Sequence, residues 1–493
     1  MFEKITPEQA GVHSENILKM MKVFEKKNYS MHSIIMAHNG KVFFEQYWAP
    51  YNENSLQRLY SASKSFVSIA IGFLYDEGKI KLDDKIIKYF PEYEEKAHQY
   101  LKEQTICDML KMSTSSVDKH WMGLGIKNRT EYYFTREQNR PSGTLYNYDS
   151  TGTYILAIVV EKLSGKNFID YLKEKLFRRI GVSEDICCLK TPEGHLWADS
   201  GVRCTSMDFL KIAQFTTNMG EWNGEQILSR EYMTEATSIQ VFNANDGYGG
   251  YNKNGYGYQF WITQDGGFSF NGMANQFAIC IPEKNFVFVC TADNQFNPTS
   301  AEIIFENVFE QIANNMSDQE LPENSPAYNE LISACCDLKL PCVRGDIYSD
   351  FQKIINGKTY DLEDNDMKIE SFKLNFFDNN EGCFEFTDDE GVHILPFGIG
   401  KNIFCKFPKH AMPDETGSID VEGYRHECAV SAAWVEDKKL FIKAQIIDKY
   451  LANFCVTIGF KRKEVAVQFV ANAEFFLEKY NGFACGKTGE YQS

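Results

Sequence analysis

The hydrophobic rhythm of this chain changes once, and that change limits what it can fold into. As far as about residue 315, apolar residues recur at helical spacing in some stretches and in short strand-like runs in others. Beyond about residue 345 the helical spacing stops. The runs FKLNF, CFEF, VHILPF, NIFCKF, AAWV, KLFIKAQII, NFCVTIGF and VAVQFV follow one another, parted by turn clusters such as Asp378-Asn379-Asn380 and Asp388-Asp389-Glu390-Gly391. Many short strands at near-regular spacing predict an all-β barrel or sandwich. Between the two regimes lies SDQELPENSP (317–326), acidic and holding two prolines, which reads as a linker, and then a short helix at 327–338. With 493 residues, two or three domains are expected. The expected division is a mixed α/β domain over 1–316, a linker with a short helix over 317–345, and a lipocalin-like β-barrel over 346–493.

In the mixed α/β region, a single stretch organises the rest. Ser61–Gly78 reads SASKSFVSIAIGFLYDEG, with Phe66, Ile69, Ala70, Phe73 and Leu74 at i, i+3, i+4, i+7 and i+8. This is the buried stripe of an amphipathic helix, with Gly78 where a C-terminal cap belongs. Ser61 then falls at the helix N-terminus and Lys64 one turn on, on the same face. A serine hydroxyl needs a neighbouring base before it becomes a useful nucleophile, and a buried lysine can be that base or hold one in place. A helix N-terminus adds unpaired N–H groups that favour a developing oxyanion. Ser-x-x-Lys is short, and a plain helix cap explains a lone serine equally well. A second copy, Ser116–Lys119, sits in polar sequence without helical spacing and reads as loop.

Around this helix, HSIIMAHNGKVFFEQYW (32–48) predicts a hairpin turning at Asn39-Gly40. Helices are expected near 11–29, 105–111, 151–163, 206–219 and 300–315, and strands between 256 and 293. Residues 120–140, with Trp121, Tyr132, Tyr133 and Phe134, read as a long loop, either a substrate wall or a satellite core. An antiparallel sheet flanked by helices follows.

Composition removes several function classes. Lys+Arg 51 against Asp+Glu 68 leaves a formal charge of −17, which disfavours nucleic acid and anionic membranes as partners. No apolar run approaches the roughly 18 residues that span a bilayer, and the first residues show no secretory pattern. The fourteen cysteines are scattered without a Cys-x-x-Cys pair, and no His-x-x-x-His spacing occurs. Reduced thiols in a cytoplasmic protein, with no metal and no organic cofactor, are the expectation. Gly486-Lys487-Thr488-Gly489 mimics a fragment of a phosphate loop, but its glycine spacing is short by one and no helix follows.

Taken in order, five segments resemble the class C β-lactamase-type branch of the penicillin-recognising serine hydrolases. That branch includes family VIII esterases, D-aminopeptidases and aminohexanoate-oligomer hydrolases. The segments are LYSASKSFVSIAIGFLYDEGKIKLDDKIIKYFPEY (59–93), QTICDMLKMST (104–114), PSGTLYNYDSTGTYIL (141–156), DSGVRCTSMDFLKIAQFTTNMGEWNGEQILS (199–229), and 256–289 with NGMANQFAICI. The resemblance covers roughly residues 5–315 and implies an acyl-enzyme mechanism on a small-molecule ester, amide or peptide. It casts Ser61 as nucleophile, Lys64 as its proton-network partner and Tyr148 as the residue that takes and returns the serine proton. A phenol of pKa ~10 does this at neutral pH only beside a cation such as Lys64.

Two departures from the family pattern narrow the substrate. The second motif, usually Tyr-x-Asn, is Tyr148-Asp149-Ser150 here, so Ser150 replaces an amide that often orients a substrate carbonyl. The third motif, where β-lactamases carry Lys-Thr-Gly or a histidine variant, is Phe270-Asn271-Gly272. Asn271, Gly272 and Met273 are expected at the substrate, with the Met273 and Ser61 N–H groups forming an oxyanion hole. No cation remains for a substrate carboxylate, so an uncharged ester or amide is expected in place of a penicillin. Asn275-Gln276 stands where many relatives have Gly-Gln. A transpeptidase or acyltransferase, or a penicillin-binding sensor without turnover, fits the same residues, and the oligomeric state is left open.

Overall fold

The computed structural model describes residues 2–116, 126–243, 253–410, 423–472, 477 and 479–489. The chain divides into two compact units, one formed by residues 1–339 and one essentially by residues 340–493.

The first unit is built on a seven-stranded sheet in the order Glu3–Lys4, Lys41–Tyr47, Met31–His38, Phe286–Ala292, Gln276–Ile281, Phe268–Gly272, Trp261–Ile262. Its pairings are antiparallel except the outermost, where Glu3–Lys4 runs parallel to Lys41–Val42. The hairpin turns at Asn39 and Gly40, both left-handed with φ of 50° and 70°, as a type I′ turn requires. The central strands Gln276–Ile281 and Phe286–Ala292 are buried at every position because both faces are covered. Ala278, Cys280, Val287 and Val289 face a core shared with the helices Ser63–Asp76, Ser150–Ser164 and Ser206–Thr217. Their alternates Phe277, Ile279, Phe286 and Phe288 face Ser14–Lys26 and Ser300–Glu306. Among the described residues no helix is long and apolar enough to cross a membrane.

Three local expectations need correction. The stretch 120–140 is not all loop: Asn128 caps a helix, Arg129–Thr135, by accepting from the Glu131 N–H at 2.8 Å. Seven residues are too few for periodicity to register, and the Asn-x-x-Glu cap was the available signal. Tyr133 and Phe134 are buried there as part of the main core beneath the sheet, with Phe134 stacked on Tyr93, so these two aromatics form neither a substrate wall nor a separate satellite core; Trp121 lies outside the described residues. Second, only Trp261–Ile262 of the run 256–262 joins the sheet ladder, because Gln259 takes φ of 66° and bends the chain. Its side chain bonds to the Met109 and Leu110 carbonyls and to Thr153, tying three elements together. Third, the helix after Ser61 begins at Ser63, and Ser61 itself lies in a 3-10 turn, Tyr60–Ala62.

The second unit is a closed barrel. Nine strands run Gly391–Ile399, Glu381–Asp388, Ser371–Phe377, Thr359–Leu362, Gly482–Lys487, Glu464–Asn472, Leu451–Lys461, Lys439–Ile447, Glu427–Glu436, and a parallel pairing of Gly398–Ile399 with Ser431–Ala432 shuts the ring. A tenth strand, Ile403–Lys406, adds to Glu427–Glu436. Strict alternation, as in Glu381–Asp388, sends Phe384 and Phe386 inward. With Phe372, Phe397, Trp434, Phe454 and Phe469 they pack the interior with side chains. Gly486 and Lys487 are strand residues here, and a Cβ at Gly486 would lie 2.2 Å from the Asp361 carbonyl oxygen. The phosphate-loop likeness is thus an accident of a tightly paired strand.

Candidate active site

Ser61 is held by a splint of backbone. Tyr60, just before it, has φ of 48°, a left-handed conformation that costs a non-glycine residue about 1 kcal/mol. The surroundings impose it. Leu59 N–H donates to the Val202 carbonyl at 2.8 Å, and Val202 N–H donates to Ser63 Oγ at 3.1 Å. The Arg58 guanidinium lies 4.1 Å from the Tyr60 ring centre and 4.5 Å from that of Trp197, while its Nε donates to the Ser200 carbonyl at 2.9 Å. The segment Trp197–Cys204 therefore clamps the chain on both sides of Ser61, which stays half-buried at the head of the helix.

Lys64 is 1% exposed. Its Nζ donates to Ser61 Oγ at 3.0 Å and to the Asp199 carbonyl at 2.8 Å. Asp199 is fixed in turn: its carboxylate faces Arg129 at 3.2 Å, both side chains buried, and accepts from Trp197 Nε1 at 3.3 Å. The lysine thus sits where a carbonyl dipole offsets part of the cost of burying an ammonium.

Tyr148 comes to the same place from another element. Lys64 Nζ is 5.0 Å from the centre of its ring. The ring stacks on Trp261 at 5.7 Å and meets Tyr256 edge-on at 6.4 Å, in a small cluster with Met112 and Tyr146. Asp149, the next residue, fixes this corner. It caps the helix Ser150–Ser164 by accepting from the Gly152 N–H at 3.0 Å, takes a bond from Thr114 Oγ1 at 2.7 Å, and pairs with Arg136 at 2.6 Å. Ser150, half-buried, is the first residue of that helix.

The third motif ends the strand Phe268–Gly272. Phe270, expected from the sequence at the place of the β-lactamase cation, points into the core, 6.3 Å from the Phe66 ring and 5.5 Å from Phe209. Asn271 points to the other face by alternation, opposite Phe277; it is buried, and neither atom of its amide has a hydrogen-bond partner among the described residues. Gly272 is glycine for a packing reason: a Cβ there would lie 2.1 Å from the Leu59 carbonyl oxygen. The strand end therefore abuts the chain two residues before Ser61, and Met273, half-buried, starts the turn that follows. Asn275 in that turn has φ of 76°, a conformation open to asparagine and glycine alike, which accounts for the Asn-for-Gly exchange. Gln276 Nε2 braces the turn through the Met273 and Ala292 carbonyls at 3.1 and 2.6 Å.

Ser61, Lys64 and Tyr148 are thus brought together from two helix starts, with the Gly272 strand end alongside. Reasoning from sequence missed Arg58, Arg129, Arg136, Asp149, Trp197, Asp199 and Trp261. Asp149 carried a signal, a capping residue before a helical run. Asp199 acts on Lys64 through a backbone carbonyl, a group every residue has, so no pattern could single it out. An open pocket of about 490 Å³ bordered by Phe90, Tyr93, Asn128, Glu161 and His195 contains none of Ser61, Lys64 or Tyr148. Among the described residues one carboxylate trio, Asp388, Asp389 and Glu390, is close enough to hold a metal ion; it lies in the barrel, where Lys409 and Lys479 already pair with it.

The fold is that of the β-lactamase/transpeptidase-like serine hydrolases. The chain belongs to the beta-lactamase family, whose model matches residues 25–312. It is similar to the 6-aminohexanoate-dimer hydrolase of Paenarthrobacter ureafaciens, with 23% identity over 218 residues, or 41% of this chain and 55% of that protein. The match therefore spans little more than half of that relative. A Bacillus anthracis structure ascribed to a 6-aminohexanoate-dimer hydrolase superposes with a TM-score of 0.50 at 18% identity, covering 66% of this chain and 89% of that one. EstCE1, a hydrolase with promiscuous acyltransferase activity, gives 0.50 at 14% identity over 61% of this chain and 98% of its own. These two likenesses are likenesses of fold.

Proposed function

We propose that this protein hydrolyses an uncharged ester or amide through an acyl-enzyme on Ser61. The observation that carries the reading is the 3.0 Å contact between Lys64 Nζ and Ser61 Oγ at a helix start. In the proposed cycle, Ser61 Oγ attacks the acyl carbon while Tyr148 takes its proton. Tyr148 returns that proton to the departing alkoxide or amine, and water then repeats the sequence in reverse to free the acid. Lys64, donating to a carbonyl and a hydroxyl, serves as the cation that makes a phenolate accessible. The Ser61 and Met273 N–H groups receive the developing oxyanion. The core placement of Phe270 supports an uncharged substrate, since the position a carboxylate-binding cation would occupy is an aromatic packed against Phe66 and Phe209.

The test is intact-mass spectrometry after exposure to a fluorophosphonate, alongside turnover of a p-nitrophenyl ester, for the wild type and Ser61→Ala. A single adduct is expected on the wild type and none on the variant, with turnover reduced about 10³-fold or more. Labelling that survives Ser61→Ala overturns the assignment. An adduct with no ester turnover redirects the reading to acyl transfer onto an amine.

A further inference from the structure

We propose that Cys405 and Cys428 in the barrel are a dithiol site that a small-molecule disulfide oxidises to a reversible cross-strand link. The two cysteines are direct partners in the antiparallel ladder between Ile403–Lys406 and Glu427–Glu436. Their sulfurs lie 3.6 Å apart, within hydrogen-bond reach of each other, and Cys428 Sγ also lies 3.3 Å from the Cys405 carbonyl oxygen. Partners in an antiparallel ladder have the Cα separation a disulfide needs, so joining these sulfurs takes side-chain rotation and no strand movement. All fourteen cysteines are free thiols, and this pair stands apart from the others. Burial pushes the thiols of Cys280 and Cys335 up to about 12, which leaves them inert. Cys405 is half-buried, and a hydrogen bond from Cys428 draws its ionisation below the usual thiol range. Cys428 is fully buried and its own ionisation is pushed up by the neighbouring sulfur and then by burial.

This asymmetry sets the order of events. The Cys405 thiolate attacks a disulfide such as oxidised glutathione, forming a mixed disulfide and releasing one glutathione thiolate. Cys428 then loses its proton and attacks Cys405 Sγ, expelling the second glutathione. Two protein thiols are oxidised, one external disulfide is reduced to two thiols, and two protons leave the protein. The new bond staples the tenth strand, Ile403–Lys406, onto the ring.

The experiment takes the full chain, reduced and desalted, through incubation with oxidised glutathione, then intact-mass measurement and peptide mapping after alkylation. The wild type is expected to lose the mass of two hydrogens, to yield a peptide joining residues 405 and 428, and to melt higher than the reduced protein, all reversed by dithiothreitol. Cys428→Ser is expected to retain one glutathione on Cys405, and Cys405→Ser to leave Cys428 unmodified. The proposal is overturned if both cysteines remain alkylatable in the oxidised wild type. It is equally overturned if glutathione persists on wild-type Cys405, or if other cysteines pair instead. The wild-type map decides the matter even where a serine variant fails to fold.

Discussion

His32 shows how much a single buried side chain can govern. It sits in the strand Met31–His38, stacked on Tyr51 at 3.9 Å between ring centres, with Nδ1 donating to the Gln57 side-chain oxygen at 3.0 Å. Its other nitrogen is buried without a hydrogen-bond partner among the described residues. Burial outweighs the bond to Gln57 and holds its pKa down at about 3. Below pH 6.5 the unfolded chain binds a proton at this residue that the folded chain does not, so stability falls as pH drops from 6.5 towards 3. At pH 5 the loss from this residue is about 2 kcal/mol. Urea unfolding at pH 7 and pH 5 is expected to show a pH dependence smaller by about that amount in His32→Gln. An unchanged dependence would mean that His32 is protonated in the folded protein.

At the scale of elements, the end of the strand Phe268–Gly272 against the turn Tyr60–Ala62 is the most exacting junction. Gly272→Ala places a methyl 2.1 Å from the Leu59 carbonyl oxygen and 2.9 Å from Gln276 Cβ. Backbone on one side cannot rotate away, so the strand end or the Ser61 turn must shift. An overpacking cost of about 1–3 kcal/mol is expected in urea unfolding, and ester turnover should fall further than stability, because the shift reaches Ser61. Wild-type turnover at a lowered melting midpoint would show that the strand end moves and the Ser61 turn does not. The corner at Asp149 is a second junction of this kind, since one carboxylate caps a helix, pairs with Arg136 and binds Thr114. Removing one partner of such a buried pair typically costs about 3–5 kcal/mol.

For the molecule as a whole, each unit carries its own core. Among the described residues the barrel core draws on Phe351 to Ala484, and its ring closes within the same segment. Residues 340–493 expressed alone are therefore expected to give a strand-type circular dichroism spectrum and a single cooperative urea transition. A gradual transition, or strong binding of a hydrophobic dye, would show that the core is incomplete without the first unit.

The sequence by itself determined the class of each half. Alternating residues on successive short strands can bury only one face, which a barrel or a sandwich satisfies; helical spacing mixed with short strands makes a sheet flanked by helices. Ser61 and Lys64 could be singled out as candidates by their place at a helix start, and Tyr148 only through the family resemblance; that the three lie together is a tertiary fact. What only the tertiary structure decided lies between elements: that the Asp199 carbonyl holds Lys64, that Trp197–Cys204 clamps Ser61, that Gly272 is needed for Leu59, and that Phe270 belongs to the core. It also set Cys405 opposite Cys428. These depend on distances between residues far apart in the chain, and local periodicity carries no information about such distances.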